Sequence, residues 1–133
     1  RYRTRDLTRA IPGRCECGTV LPRHDRILGR SDDMFIYRAV NIYPTQIDSI
    51  LSQVPGVGSE YHVVLDRGAD AKDHMLVNVE REREGEPGKD AALKAEIERR
   101  IKTQIMVSAQ VKVVDYGVLP RTERKSKRVY DDR

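Results

Sequence analysis

A chain of 133 residues has the length of one domain, enough for a single core but small for a complete enzyme with two substrates. Charged residues make up 35% and aromatics 5%, so the core must be built from Val, Ile and Leu. No stretch approaches the roughly 20 apolar residues of a membrane span, and Arg1-Tyr2-Arg3-Thr4-Arg5 carries no signal-like apolar run, which excludes insertion and predicts a cytoplasmic protein.

In chain order, residues 1–24 contain Pro12, Gly13, Gly18 and Pro22 with little periodicity and read as an irregular or extended segment. Residues 25–30 and 34–38 are short strand candidates separated by Ser31-Asp32-Asp33, which predicts a hairpin or a bent corner. Pro44 can open a helix because its missing N–H would be unpaired there, and Ile47, Ile50, Leu51 and Val54 follow at helical spacing before Pro55-Gly56 stops it. Alternation over Tyr61–Leu65 and Met75–Val79 predicts two antiparallel strands. Leu93, Ile97, Ile101 and Ile105 recur every four residues among Lys, Glu and Arg, an amphipathic helix, and residues 110–116 supply a last strand. The expected fold is α+β: a small, mostly antiparallel sheet with two helices packed on one face, preceded by a β-hairpin and an irregular N-terminal segment. The tail from Arg121 has no apolar pattern and is expected to be ordered by a ligand or a partner domain.

The net charge of +4 is unevenly spread, with eight Arg against three acids in residues 1–30 and six Lys or Arg against three acids in 121–133. Two basic ends around an acidic middle could gather about one polyphosphate, or could simply be solvated termini; they do not form the uniform stripe of a nucleic-acid binder, and no aromatic stacking platform accompanies them. Cys15-Glu16-Cys17 offers two thiolates to a structural zinc, which needs four ligands, with only His24 nearby; two reduced thiols fit the pattern equally well. No Gly-x-x-x-x-Gly-Lys phosphate cradle occurs.

Three segments carry the functional signal: Tyr2-Arg3-Thr4-Arg5-Asp6, Gly29-Arg30-Ser31-Asp32-Asp33 running to Asn41-Ile42-Tyr43-Pro44, and Leu119-Pro120-Arg121-Thr122-Glu123-Arg124-Lys125. In this order they resemble the late motifs of the adenylate-forming enzymes, and the Gly-Arg-Ser-Asp-Asp-Met and Val-Asn-Ile-Tyr-Pro-Thr-Gln-Ile stretches are most similar to phenylacetate-CoA ligases. The resemblance runs from residue 2 to the tail. It implies the C-terminal lid of an AMP-forming aryl-acid CoA ligase, with residues 1–24 leading to an N-terminal adenylation domain of the same polypeptide and residues 25–133 forming the lid. The opening without Met, directly in a motif, fits a piece of a longer chain.

What the resemblance implies for single residues follows their chemistry. Asp6 is a ribose anchor, since a carboxylate can accept from two hydroxyls; by itself it could equally cap a turn. Arg30, after a Gly that permits close approach, binds ribose or phosphate with its planar fork. Asp32 is the hinge about which the lid turns, where the bare sequence shows only a Ser-Asp-Asp turn. Arg38, Ala39 and Val40 flank the pantetheine of CoA. Lys125 stabilises charge developing between carboxylate and α-phosphate, with Lys127 as the fallback.

Two positions depart from the family pattern: Arg124 precedes the lysine where Gly is usual, and Ala39 stands where the family has Gly. The implied cofactors and substrates are ATP, Mg²⁺, CoA and a small carboxylic acid, with Zn²⁺ at Cys15 and Cys17 implied by relatives that look as though they hold an interdomain metal. No nucleic acid or membrane partner is implied, and a homodimer is left open. The competing reading is a stand-alone small-molecule-binding regulatory domain, whose strands and helices would look alike but which would not need Asp6, Arg30 and Lys125 together.

Overall fold

The computed structural model describes residues 2–121 and 127–133. Four strands form a mixed sheet in the order β10-β7-β8-β9, with β7 at Val57–Arg67, β8 at Asp73–Arg81, β9 at Gln110–Val114 and β10 at Val129–Asp131. The β7–β8 ladder is antiparallel, as the alternation predicts. The two flanking ladders are parallel, β9 on β8 and β10 on β7. Three small antiparallel pairs precede the sheet: β1 (Asp6–Leu7) with β4 (Gly29–Arg30), β2 (Ala10–Ile11) with β3 (Arg23–His24), and β5 (Phe35–Tyr37) with β6 (Val40–Ile42). The α+β expectation holds.

Pairing at the N-terminal end differs from the sequence reading. Residues 25–30 do not pair with 34–38; the chain from 23 to 30 returns along 6–11, and Thr8 ties the two arms by donating to the carbonyls of Asp25 (2.8 Å) and Arg26 (3.1 Å). Short polar strands carry no alternation long enough to reveal a partner; of the hairpin and the bent corner that Ser31-Asp32-Asp33 allows, the hairpin does not form, and the turn joins two different ladders. The segment before residue 24 is thereby partly strand.

Helix α1 (Pro44–Leu51) begins at Pro44, and the Gln46 side chain accepts a hydrogen bond from the Tyr43 N–H at 2.8 Å. It ends three residues before Val54, which is nevertheless buried. Helix α2 (Asp90–Gln104) follows a 3₁₀ turn at Pro87–Lys89. Arg81 at the end of β8 donates to both oxygens of Asp90 at 2.7 Å and pairs with Asp115, fixing the start of α2 to the sheet. On the outer face of α2, hydrogen bonds from Arg99 and Arg100 hold the Glu96 carboxyl down to about 2, so this network stays ionised at neutral pH and is lost only as pH falls below the normal carboxylate range towards that value.

The sheet has one helix-covered face. Tyr61, Val63 and Leu65 of β7 stand opposite Val79, Val77 and Met75 of β8, and all six are buried in one cluster with Ile47, Ile50, Ile97 and Ile101. The alternate residues, His62, Val64, Leu76, Asn78 and Glu80, face the other way. Residues 115–128 connect one edge strand, β9, to the opposite edge strand, β10, and their upstream part bonds to Glu80 on this second face, as shown below. β10 was not foreseen: a three-residue strand in a basic tail gives no periodic signal, and its pairing is fixed by the vacant edge of β7. Among the described residues no helix is long and apolar enough to cross a membrane.

The β5–β6 turn explains one departure from the family pattern. Arg38 (φ 49°) and Ala39 (φ 63°) are both left-handed, as a two-residue type I′ turn requires, and an L side chain there carries a steric penalty that Gly escapes. Ala39→Gly is therefore expected to stabilise the fold by about 0.5–1 kcal/mol, the relief of strain exceeding the added freedom of the unfolded chain. Urea denaturation of the two proteins side by side measures it, and an unchanged or lower midpoint would contradict the strain.

Candidate functional site

The β1–β4 ladder places Asp6 directly across from Arg30. Arg30 in turn grips Asp32 through a fork, Nε to Oδ1 at 3.1 Å and Nη2 to Oδ2 at 2.8 Å, and Arg5 lies 3.8 Å from the same Oδ2. The backbone closes the group, since the Ser31 N–H donates to the Arg5 carbonyl at 2.8 Å. Three sequence candidates separated by up to 26 positions thus meet at one spot. The reason β4 can come so close to α1 is Gly29: at φ 153° a Cβ on it would lie 3.3 Å from the Thr45 hydroxyl.

Electrostatics at this spot are set by the arginines. Partial burial raises the Asp32 carboxyl, but the Arg30 hydrogen bond, the residue's own backbone N–H and the charges of Arg30 and Arg5 outweigh it and hold the group below its ordinary value. Asp32 is thus an anion at neutral pH, and it occupies one edge of the Arg30 guanidinium, leaving the other N–H groups for a ligand oxygen. The Asp6 carboxylate accepts no hydrogen bond among the described residues, which leaves its oxygens for hydroxyl donors. Tyr2, Arg3, Thr4, Ser31 and Asp32 line an open groove of about 570 Å³ with it. A ribose with one adjoining phosphate matches that chemistry: a carboxylate beside a guanidinium.

Asp32 also faces a second groove, of about 370 Å³, shared with Phe35, Lys127, Arg128 and Asp131. The turn at Asp32 and the C-terminal end of the basic tail are therefore neighbours. Lys125 and Arg124 lie outside the described residues, and so does the spacing that selects Lys125 over Lys127. Lys127 places its ammonium 4.8 Å from the Tyr130 ring.

The remaining candidates lie elsewhere. Arg38 and Ala39 form the exposed β5–β6 turn, with Arg38 donating to the Asp73 carbonyl at 3.4 Å, and Val40 begins β6 half-buried. Cys15 and Cys17 sit in the connection between β2 and β3, with the Cys17 thiol donating to the Cys15 sulfur at 2.9 Å. That hydrogen bond, one from the Cys17 backbone and one from Arg23 lower the Cys15 thiol pKa against the opposing effect of desolvation. No group of three metal-ligating side chains occurs among the described residues, so this chain supplies two of the four donors a structural zinc needs and does not by itself fit one.

Sequence reasoning missed Glu80. It sits at an alternating position of β8 that reads as solvent-facing, yet it is fully buried. Its Oε1 accepts the N–H groups of Gly117 (3.1 Å) and Leu119 (2.8 Å), and its Oε2 accepts from Arg121 at 2.9 Å. A strand-end glutamate and an arginine some 40 residues later give no local sign of each other.

Comparison with known proteins agrees with this geometry. Residues 39–133 match the family model described as the AMP-binding enzyme C-terminal domain. A phenylacetate-coenzyme A ligase of Pseudomonas putida is 39% identical over the whole of this chain, which spans 30% of that protein. A crystallised domain of the phenylacetate-coenzyme A ligase of Bacteroides vulgatus is 39% identical, with a TM-score of 0.66 over 75% of this chain and 92% of that one. A 2-hydroxyisobutyryl-CoA ligase in its postadenylation state, in complex with R3-HIB-AMP, is 36% identical with a TM-score of 0.77 over 98% of this chain and 28% of that one. The same ligase with 2-HIB-AMP and CoA in its thioesterification state gives 0.68 over 97% of this chain and 28% of that one.

Proposed function

Because the chain belongs to the family of AMP-binding enzyme C-terminal domains, we propose that it is the lid of an AMP-forming CoA ligase of the phenylacetate type, acting in both half-reactions of the full-length enzyme. The chain spans about 30% of the curated relatives it matches, and the acid and most of the nucleotide bind to the N-terminal adenylation domain that the remainder provides. In the first half-reaction a carboxylate oxygen attacks the α-phosphorus of MgATP, the bond to the β-phosphate oxygen breaks, and pyrophosphate leaves. In the second, the CoA sulfur attacks the acyl carbon, loses its proton, and AMP departs with the C–O electron pair.

The observation that carries this reading is the meeting of Asp6, Arg30 and Asp32. Asp6 holds the ribose hydroxyls, Arg30 the adjoining oxygens, and Asp32, at the junction of the N-terminal ladders and the lid, is the hinge. The comparison supports a hinge: one relative matches this chain better in its postadenylation state than in its thioesterification state. Rigid-body movement of the first thirty residues against the rest would produce that difference. After the turn, the exposed β5–β6 corner with Arg38, Ala39 and Val40 flanks the pantetheine, and Lys125 leaves the nucleotide.

Turnover of the full-length enzyme against a panel of aryl and short aliphatic acids tests the reading. AMP and pyrophosphate should appear in step with thioester, fastest with an aryl acid. Release of ADP in place of AMP, or no acid-dependent ATP consumption, would rule it out.

A further inference from the structure

Resting on the ligase reading, we infer that Glu80 and Glu60 are positioning residues that clamp the two ends of the lysine-bearing stretch. That stretch, residues 122–126, is bounded by Arg121 and Arg128 in the described chain, with only Lys127 between it and the second arginine. Each arginine is held by a glutamate of the central strands. Upstream, the buried Glu80 of β8 takes Arg121 on one oxygen and the backbone N–H groups of Gly117 and Leu119 on the other, while the Arg121 guanidinium lies 4.4 Å from the Tyr116 ring and donates to its hydroxyl at 3.0 Å. Downstream, Arg128 donates to Glu60 of β7 at 2.7 Å and to the Tyr61 carbonyl at 3.2 Å, stacks 4.7 Å from the Tyr61 ring, and accepts at its own carbonyl from Val63 N–H at 2.7 Å.

Topology explains why two clamps are needed. The stretch belongs to the connection from β9 to β10, which lie at opposite edges of the four-stranded sheet. Its described ends bond to the two central strands, β8 and then β7, with Glu80 on the face away from the helices. The charge pairs are shielded: the Glu80 side chain is 0% exposed and that of Glu60 15%. A carboxylate buried there without its arginine would be costly, so the pairing fixes Arg121 and Arg128 on the sheet rather than decorating its surface. An ammonium that must meet a transient charge gains from such fixed ends, because small displacements of a catalytic group cost large factors in rate.

The test uses the full-length enzyme and follows the two half-reactions separately, by acid-dependent ATP–pyrophosphate exchange and by thioester formation from preformed acyl-AMP. Glu80→Gln keeps the shape and the acceptor for Gly117 and Leu119 but sets an amide against Arg121. It should lower the adenylation kcat about 10- to 100-fold with KM for ATP little changed, and leave the second half-reaction within about two-fold. Glu60→Gln should move the same parameter in the same direction. Combined with Lys125→Ala, neither change should lower adenylation further, because a positioning residue acts through the lysine it positions. Equal loss in both half-reactions, an unchanged adenylation rate, or a multiplicative effect on top of Lys125→Ala would overturn the inference. Arg121→Lys, at a half-exposed side chain, makes the same test if Glu80→Gln does not fold. If Lys125→Ala itself adenylates at the wild-type rate, the ligase reading of the lysine fails instead, and the two failures are told apart.

Discussion

Lys125→Ala in the full-length enzyme is expected to slow acyl-adenylate formation by about 10²–10³-fold while thioester formation from preformed acyl-AMP stays within about two-fold of wild type. The ammonium is already protonated and cannot serve as a base in either step. On the proposed reading its contribution is electrostatic and is felt where negative charge builds between the attacking carboxylate and the α-phosphate, an event confined to the first half-reaction. Lys127→Ala is the matched control, since Lys127 is the fallback by spacing and places its ammonium against the Tyr130 ring. A fall confined to adenylation in the first variant, with less than about three-fold change in the second, assigns the charge to residue 125. Equal loss in both half-reactions would show that Lys125 does something other than stabilise the adenylation transition state.

Ile101→Ala is expected to cost about 2–5 kcal/mol. Helix α2 is polar over most of its surface and is held to the sheet by few apolar side chains, of which Ile97 and Ile101 are 0% exposed. Truncation removes three carbons from a fully buried position in the one core cluster, where close packing leaves a cavity behind. Urea unfolding should show a lower midpoint at an unchanged slope. A cost below about 1 kcal/mol would mean that α2 is held mainly by Arg81 and its two aspartates and not by the core.

Most of the secondary structure was legible because the pattern that builds the core is periodic. The four-residue recurrence of Leu93, Ile97, Ile101 and Ile105 and the alternation over Tyr61–Leu65 and Met75–Val79 locate α2, β7 and β8, and Pro44 marks the first residue of α1. Direction and partner were less legible. Val111 and Val113 announce β9, but nothing in them says that it runs parallel to β8, because that is decided by where α2 returns the chain. The pairing of β1 with β4 rests on two residues each and left no trace in the sequence.

The candidate site was legible through motif resemblance and not through periodicity. Asp6, Arg30 and Asp32 were singled out by their motifs, and the fold brings them into one cluster. Ala39 was noticed as a departure, but its physical meaning, a left-handed turn position, needed the backbone. The Glu80–Arg121 and Glu60–Arg128 pairs escaped because charge pairs between distant strands obey no local spacing.

The strand β10 ties Val129 to Val63, residues about 65 positions apart, and does so parallel to a strand made long before it. During synthesis β7, β8, α2 and β9 can all be paired while the edge of β7 still waits. The sheet is completed only when residue 131 has left the ribosome, and the strap between β9 and β10 acquires its second anchor at that moment. The nascent domain is therefore a nearly finished fold with an open edge until residues 129–131 are made, and the covering of that edge and the Arg128 anchor arrive together.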